Sequence, residues 1–238
     1  MEVITETIDV HAEDWRTVAL STDDNNPIHF DRYEQYGLKR PVCAGIYLWA
    51  LAEKTARLEG RFSLPLSIDA YFINPAYEEE LSLKKIYNGD DSTYIFYRPV
   101  EMKERIADFK FKKISGLEKD FEEFPKTFKT ETTRIEKSRL KQFNEGMDIP
   151  DNKIIYSCFS LMQVFRSFFN KREGSFITKI AGNLCREFDL SELTTHFNID
   201  EISFRKRLIN RYIISVRNYQ NSELVSVGIG QAIHKIRD

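Results

Sequence analysis

Little in this 238-residue chain points to disulfides, metals, membranes or nucleic acid. Cysteine is scarce: Cys43, Cys158 and Cys185 are the only three. An odd number without a close pair gives neither a disulfide framework nor zinc-ligand spacing, and reads as reduced thiols in a cytoplasm. A basic excess is missing too. Lys and Arg number 35 against 37 Asp and Glu, for a net charge of -2, so bulk nucleic-acid binding is not expected. The longest apolar run, Val42 to Ala52, is too short to cross a bilayer. The opening MEVITETIDVHAEDW is acidic and has no apolar core, unlike a secretory signal. These absences describe a soluble cytoplasmic protein with no metal and no redox cofactor.

What is present suffices for a packed core. Hydrophobic residues make up 42% and aromatics 13%, which argues against disorder and suits one large domain or two small ones. The pattern predicts a strand over 2–10, a helix over 12–20 carrying Trp15 and Val18, and a polar loop. A short helical turn over 30–36 follows, with Gly37 as its C′ residue. The next predicted helix, about 43–59, is apolar on every side in its first half (CAGIYLWALA) and polar in its second (EKTARLE). A helix apolar all round is normally wrapped by other structure. Strand-like segments follow at 67–73, 80–87, 92–100 and 105–114. Together they predict an antiparallel sheet curled around a helix.

The order then recurs. Thr5-Glu6-Thr7 returns as Thr130-Glu131-Thr132, and CAGIYLWALAEKTARLEGRF from Cys43 has a loose echo in CFSLMQVFRSFFNKREGSF from Cys158. A repeat at half the chain length means two copies of one unit: residues 1–115 and 130–238, with a charged, proline-bearing crossing at 116–129 expected to be solvated. The copies are offset by 125 residues at the first match and 115 at the second. About ten residues are therefore missing from the second copy, where the first has STDDNNPIHFDRYEQYGLKRP and the second only NEGMDIPDNK.

That unmatched loop holds the chemistry. Asp24-Asn25-Asn26-Pro27-Ile28-His29-Phe30-Asp31, then Tyr36-Gly37-Leu38 and the apolar Val42-Cys43-Ala44-Gly45-Ile46, resembles the MaoC-like (R)-specific enoyl-CoA hydratase / 3-hydroxyacyl dehydratase family. The resemblance is specific over about 20–46 and weaker over 1–114. It implies an α+β hotdog fold, here as two tandem hotdog units each with an antiparallel sheet around a central helix, the second unit degenerate. Two departures stand out. Thr22-Asp23-Asp24 replaces the family's usual Ser-Gly-Asp, and Ala44-Gly45 replaces its His-Gly.

Hydrating an enoyl thioester requires a base for the attacking water and a proton for the α-carbon. The resemblance assigns these roles to Asp24 and His29, which can hold one water between them. Histidine suits the work because its ordinary pKa lies near working pH. Asn26 is implied as a turn and substrate-binding residue, and Pro27 stiffens the loop. The resemblance makes the Gly45 N–H, at a helix start, the donor to the thioester oxygen. Ile46, Trp49 and Phe72 are candidate lining of an acyl tunnel. The implied substrate is an acyl-CoA or an acyl-carrier-protein thioester, as in fatty acid or polyketide metabolism, and the chain is expected as a monomer or a homodimer.

Plainer readings stand beside these. Asp24 can cap a turn, Gly45 can serve packing alone, and Asp31 reads as a surface or capping residue. Asp23 reads as exposed, or as a like charge beside Asp24. His11, His196 and His234 read as surface or strand-edge residues. Arg205, Lys206, Arg207, Arg211 and Arg217 read as solvated strand faces, or as a phosphate-attracting patch. Two rival functions fit the same fold: an acyl thioesterase, and a non-catalytic acyl-binding or scaffold protein.

Overall fold

The computed structural model describes residues 1–99, 104–118, 121, 123–150, 156–158, 174–203 and 209–235. The N-terminal half supplies β1 (Glu2–Val10), α1 (Ala12–Ser21), α2 (Gly45–Leu58), β2 (Leu66–Phe72), β3 (Glu79–Asn88), β4 (Asp91–Tyr97) and β5 (Arg105–Lys113). The C-terminal half supplies β6 (Lys129–Arg134), α3 (Lys137–Gly146), β7 (Phe176–Leu184), β8 (Glu192–Ser203), β9 (Ile209–Gln220) and β10 (Glu223–Lys235).

These ten strands form one antiparallel sheet in the order β1-β3-β4-β5-β2-β7-β10-β9-β8-β6. The order is a palindrome in which each strand mirrors its counterpart in the other half. β2 and β7 meet at the centre, with Leu66 opposite Leu184 and Ala70 opposite Ile180. Side-chain alternation is clearest in β3. In β3, Leu81, Leu83, Lys85 and Tyr87 are buried while their neighbours face outward. The all-apolar start of α2 is buried as expected, from Ile46 through Ala50. It lies against an aromatic layer in which Phe109 sits 6.4 Å from Trp49, 5.7 Å from Phe72 and 5.8 Å from Phe96, between ring centroids.

The duplication extends beyond the Thr-Glu-Thr match. At the same offset of 125, the turns after α1 and α3 coincide. Asp23 and Asp148 both have positive φ, 59° and 48°. The next N–H, of Asp24 or of Ile149, donates to Ala19 or Asn144 at 2.9 Å in each copy. An isoleucine therefore occupies the counterpart of Asp24. The copies then part. α2 begins at Gly45, whereas Ser157 and Cys158 are already helical, an offset of 112. The second copy thus lacks thirteen residues rather than about ten. Cys43 precedes its helix while Cys158 lies within its own, so the cysteine match is not a structural one. Residues 159–173, including MQVFRSFF, lie outside the described residues.

Most described residues of the crossing between the halves are exposed, as expected, but it is anchored at two points. Phe121 is buried. The Glu118 carboxylate accepts hydrogen bonds from the Ser67 hydroxyl at 3.0 Å and the Asn183 amide at 3.1 Å. Arg205, Lys206 and Arg207 lie outside the described residues. Arg217 is engaged by the crossing, donating to the Phe121 carbonyl at 2.8 Å. Among the described residues, no helix is long and apolar enough to cross a membrane.

Candidate active site

The loop between α1 and α2 brings Asp24 and His29 together. The chain leaves α1 through Asp23 and tucks the Asp24 N–H back onto Ala19. Asp24 Oδ1 accepts the Asn26 N–H at 3.3 Å, a local turn of the kind aspartate favours. Pro27 starts a short 3-10 turn, Pro27–His29, where its fixed φ costs nothing. That turn aims the imidazole back at Asp24, and His29 Nε2 lies 3.3 Å from Asp24 Oδ2. On its other side, His29 Nδ1 is 2.7 Å from the Val42 carbonyl. A carbonyl can only accept, so Nδ1 carries hydrogen and Nε2 is the atom that gains or loses a proton.

Both side chains are buried, Asp24 at 4% and His29 at 5% exposure. Burial disfavours the charged ring. The Asp24 carboxylate, hydrogen-bonded to it, and the Val42 carbonyl outweigh that loss and raise the His29 pKa above its ordinary 6.5.

The pair opens into a cavity of about 210 Å³. Its wall includes Ile28, Ile46, Leu48, Trp49 and Phe72 from the N-terminal half, and Phe176, Ile177 and Ile180 from β7 across the central seam. Ile46, Trp49 and Phe72, the candidate tunnel residues, thus share one cavity. The sequence predicts that the second half completes the tunnel but singles out none of these β7 residues, which reach the cavity through pairing between the halves.

Gly45 also lines the cavity and is the first residue of α2, where an N–H has no acceptor within its own helix. A Cβ here would lie 2.8 Å from Phe72 Cε1, so the glycine is needed for close packing. Both readings of Gly45 thus find their geometry. Cys43 lines the cavity as well, but burial and nearby Glu79 push its thiol well above 9.0, which leaves it a poor nucleophile.

Asn26 lines the cavity and also ties down the loop. Its amide donates to the Ser175 carbonyl at 2.8 Å and accepts the Gly174 N–H at 3.0 Å, fastening the loop to the C-terminal half. Gly174 lies beneath Tyr36 of the same loop. It has a φ of 77°, and a Cβ would fall 1.9 Å from Tyr36 Cε1. Gly174→Ala is therefore expected to lose about 2–4 kcal/mol through overpacking and backbone strain. A thermal melt checks this, and a normal melting temperature would show that Tyr36 moves freely.

Asp23 is neither exposed nor set against Asp24. It stands at the left-handed position where the family has glycine, and it forms an ion pair with Arg139 of α3. Aspartate tolerates that conformation better than most residues. Asp31 is exposed, as expected. His234 departs from expectation: it is half-buried, with Nδ1 3.1 Å from the Ser175 hydroxyl. His196 stacks on Phe128 at 4.6 Å.

Neither a family model nor a curated protein matches the sequence. Solved structures do match the fold. A protein described as a MaoC-like dehydratase superposes with a TM-score of 0.66 at 12% identity, covering 99% of this chain and 98% of that one. A conserved hypothetical protein of Mycobacterium tuberculosis, described as having a double hotdog fold, superposes with a TM-score of 0.65 at 6% identity over 98% and 95% of the two chains. The chain is a double hotdog. A third similar structure is a putative oleoyl thioesterase from Lactobacillus plantarum, with a TM-score of 0.59 at 10% identity over 100% and 98%. The fold therefore leaves the reaction to be argued from the site.

Proposed function

We infer that this double hotdog is a hydro-lyase that interconverts trans-2-enoyl and (R)-3-hydroxyacyl thioesters. The observation that carries this reading is the buried contact between His29 Nε2 and Asp24 Oδ2, 3.3 Å long, at a largely apolar cavity that also holds Gly45. A water held by both groups lies on one face of the substrate. As its oxygen attacks the β-carbon, it gives a proton to the pair, and the pair's own proton goes to the α-carbon. The pair carries one proton before and one after, and water adds across the double bond. The thioester oxygen gathers negative charge and takes a hydrogen bond from the Gly45 N–H, with the dipole of α2 behind it. Asn26 holds the loop against the C-terminal half and stands in the cavity wall beside the substrate. Ile149 occupies the counterpart position of Asp24, so the acid is not repeated there in the second half.

The deciding experiment follows the absorbance of conjugated trans-2-enoyl thioesters. A fall without release of free thiol, yielding the (R)-3-hydroxyacyl product, supports hydration. Release of thiol identifies a thioesterase. Binding without turnover identifies an acyl-binding protein.

The raised His29 pKa fixes the sign of one pH effect. The pair works with one proton, and it loses that proton as pH rises through the His29 pKa. Activity is therefore expected to fall along an alkaline limb lying above 6.5 in kcat/KM. A limb below 6.5 contradicts the pairing with Asp24.

The donor role of Gly45 can be separated from its packing role in a Phe72→Ala background, which removes the ring that a Cβ would strike. There, Gly45→Ala keeps the N–H and Gly45→Pro deletes it, at a first helical position that tolerates proline. The proline variant is expected to have about a hundredfold lower kcat than the alanine variant. Equal rates would leave Gly45 a packing residue only.

A further inference from the structure

The cavity has a rim and a floor. Ile73, 49% exposed, and the half-buried Asn74 and Thr178 form the outer end. Further in, the wall is made of fully buried apolar side chains, among them Ile46, Leu48, Ile106 and Ile180. Trp49 is the largest of them and has no exposed surface, with its ring packed near Phe109. It follows Gly45 by four residues on α2. The two therefore share one face of the helix, about 6 Å apart along its axis.

We propose that Trp49 closes the deep end of the cavity and limits the substrate to short acyl groups of about four to six carbons, given carbon–carbon bonds of ~1.5 Å. The proposal rests on the reading of this cavity as an acyl-thioester site. With the thioester oxygen at the Gly45 N–H, the acyl chain runs inward along α2, and about 6 Å of helix spans only four or five zigzag bonds. The volume agrees. A void of about 150 Å³ holds a guest the size of benzene. This cavity, at about 210 Å³, must also take the thioester and the reacting carbons. A longer chain meets the indole, and the close-packed surroundings leave the ring no space to turn aside.

The test uses saturated acyl-pantetheine thioesters of four to ten carbons, the fragment common to coenzyme A and carrier-protein substrates. Affinity is measured by calorimetry, and turnover separately with the matching enoyl thioesters. In the unaltered protein the ten-carbon compound is expected to bind at least tenfold more weakly than the six-carbon one. Trp49→Leu should raise the ratio of ten-carbon to four-carbon affinity at least tenfold. Ile180→Ala, which opens the same wall, should raise it less, and it stands in if Trp49→Leu does not fold. Equal affinity across the series overturns the proposal, as does an unchanged ratio in a folded variant or no binding at any length. A length limit in binding without any hydration keeps the floor and removes the hydratase reading. Hydration that is equally fast at every length does the reverse.

Discussion

Asp24→Asn and His29→Ala are each expected to lower kcat for enoyl-thioester hydration about a thousandfold, while the double variant falls little further than either alone. The chemistry requires one group to accept a proton while another delivers one. Asp24 Oδ2 and His29 Nε2, 3.3 Å apart, act as a unit, so removing either member removes both transfers. Asp24→Asn keeps the size of the side chain and its hydrogen bond to the Asn26 N–H, so substrate affinity should change far less than kcat. Steady-state rates on a short trans-2-enoyl thioester decide the matter. If either variant keeps more than a tenth of the activity, the water is activated elsewhere. If the double variant is slowed by the product of the two single effects, the residues work independently.

A stability loss of comparable size is expected at Glu53. This side chain has no exposed surface. Its carboxylate accepts the Ser157 N–H at 3.0 Å and the Arg57 Nη2–H at 2.8 Å. Arg57 continues to Glu187 at 3.0 Å, so one buried charge joins α2 to the helix start and the strand region of the other half. Glu53→Ala leaves the Ser157 donor without an acceptor and weakens the hold on Arg57, at a cost of about 3 kcal/mol. In a chain of this length that lowers the melting temperature by roughly 6–12 °C.

Glu53→Gln separates charge from hydrogen bonding. Burial raises the Glu53 pKa above its ordinary 4.5, against the lowering effects of Arg57 and Ser157. The folded chain thus holds this proton to higher pH than the unfolded chain does. Its contribution to stability is complete below 4.5 and is lost as pH rises through the folded value. The Gln variant should lack that slope and lose less stability than Ala. A melting temperature unchanged in Glu53→Ala would mean that the two halves are held together without this carboxylate.

Glu53 also shows what the sequence could not display. It begins the polar stretch EKTARLE, and nothing local distinguishes it from the solvated residues after it. Its burial comes from Ser157, 104 residues away. The same holds for Gly174, whose φ and contact with Tyr36 belong to tertiary structure, and for β7 as a wall of the cavity. Features with a local physical cause were legible. Period-two alternation announced β3, the all-apolar stretch announced α2, and an acid and a histidine two residues either side of Asn-Pro announced the loop that brings Asp24 to His29. The duplication was legible at Thr5-Glu6-Thr7 and Thr130-Glu131-Thr132, whose offset of 125 the turns at Asp23 and Asp148 share. It was misread at Cys43 and Cys158, where only residue identity echoes. Asp23 fell between the two cases. Its position at a family glycine hinted at positive φ, but Arg139 as its partner depends on how α3 packs.

The seam between β2 and β7 changes what a single mutation can do. In a pair of identical hotdog chains, every substitution on one side of the seam appears on the other, and a change that widens the acyl wall also alters the loop that carries the acid. Here the two sides are separate stretches of one chain, with Ala70 facing Ile180 across the ladder. A substitution in β7 reshapes the cavity and leaves Asp24 and His29 as they are. On the proposed reading of the site, substrate range and chemical step thereby become separately heritable traits.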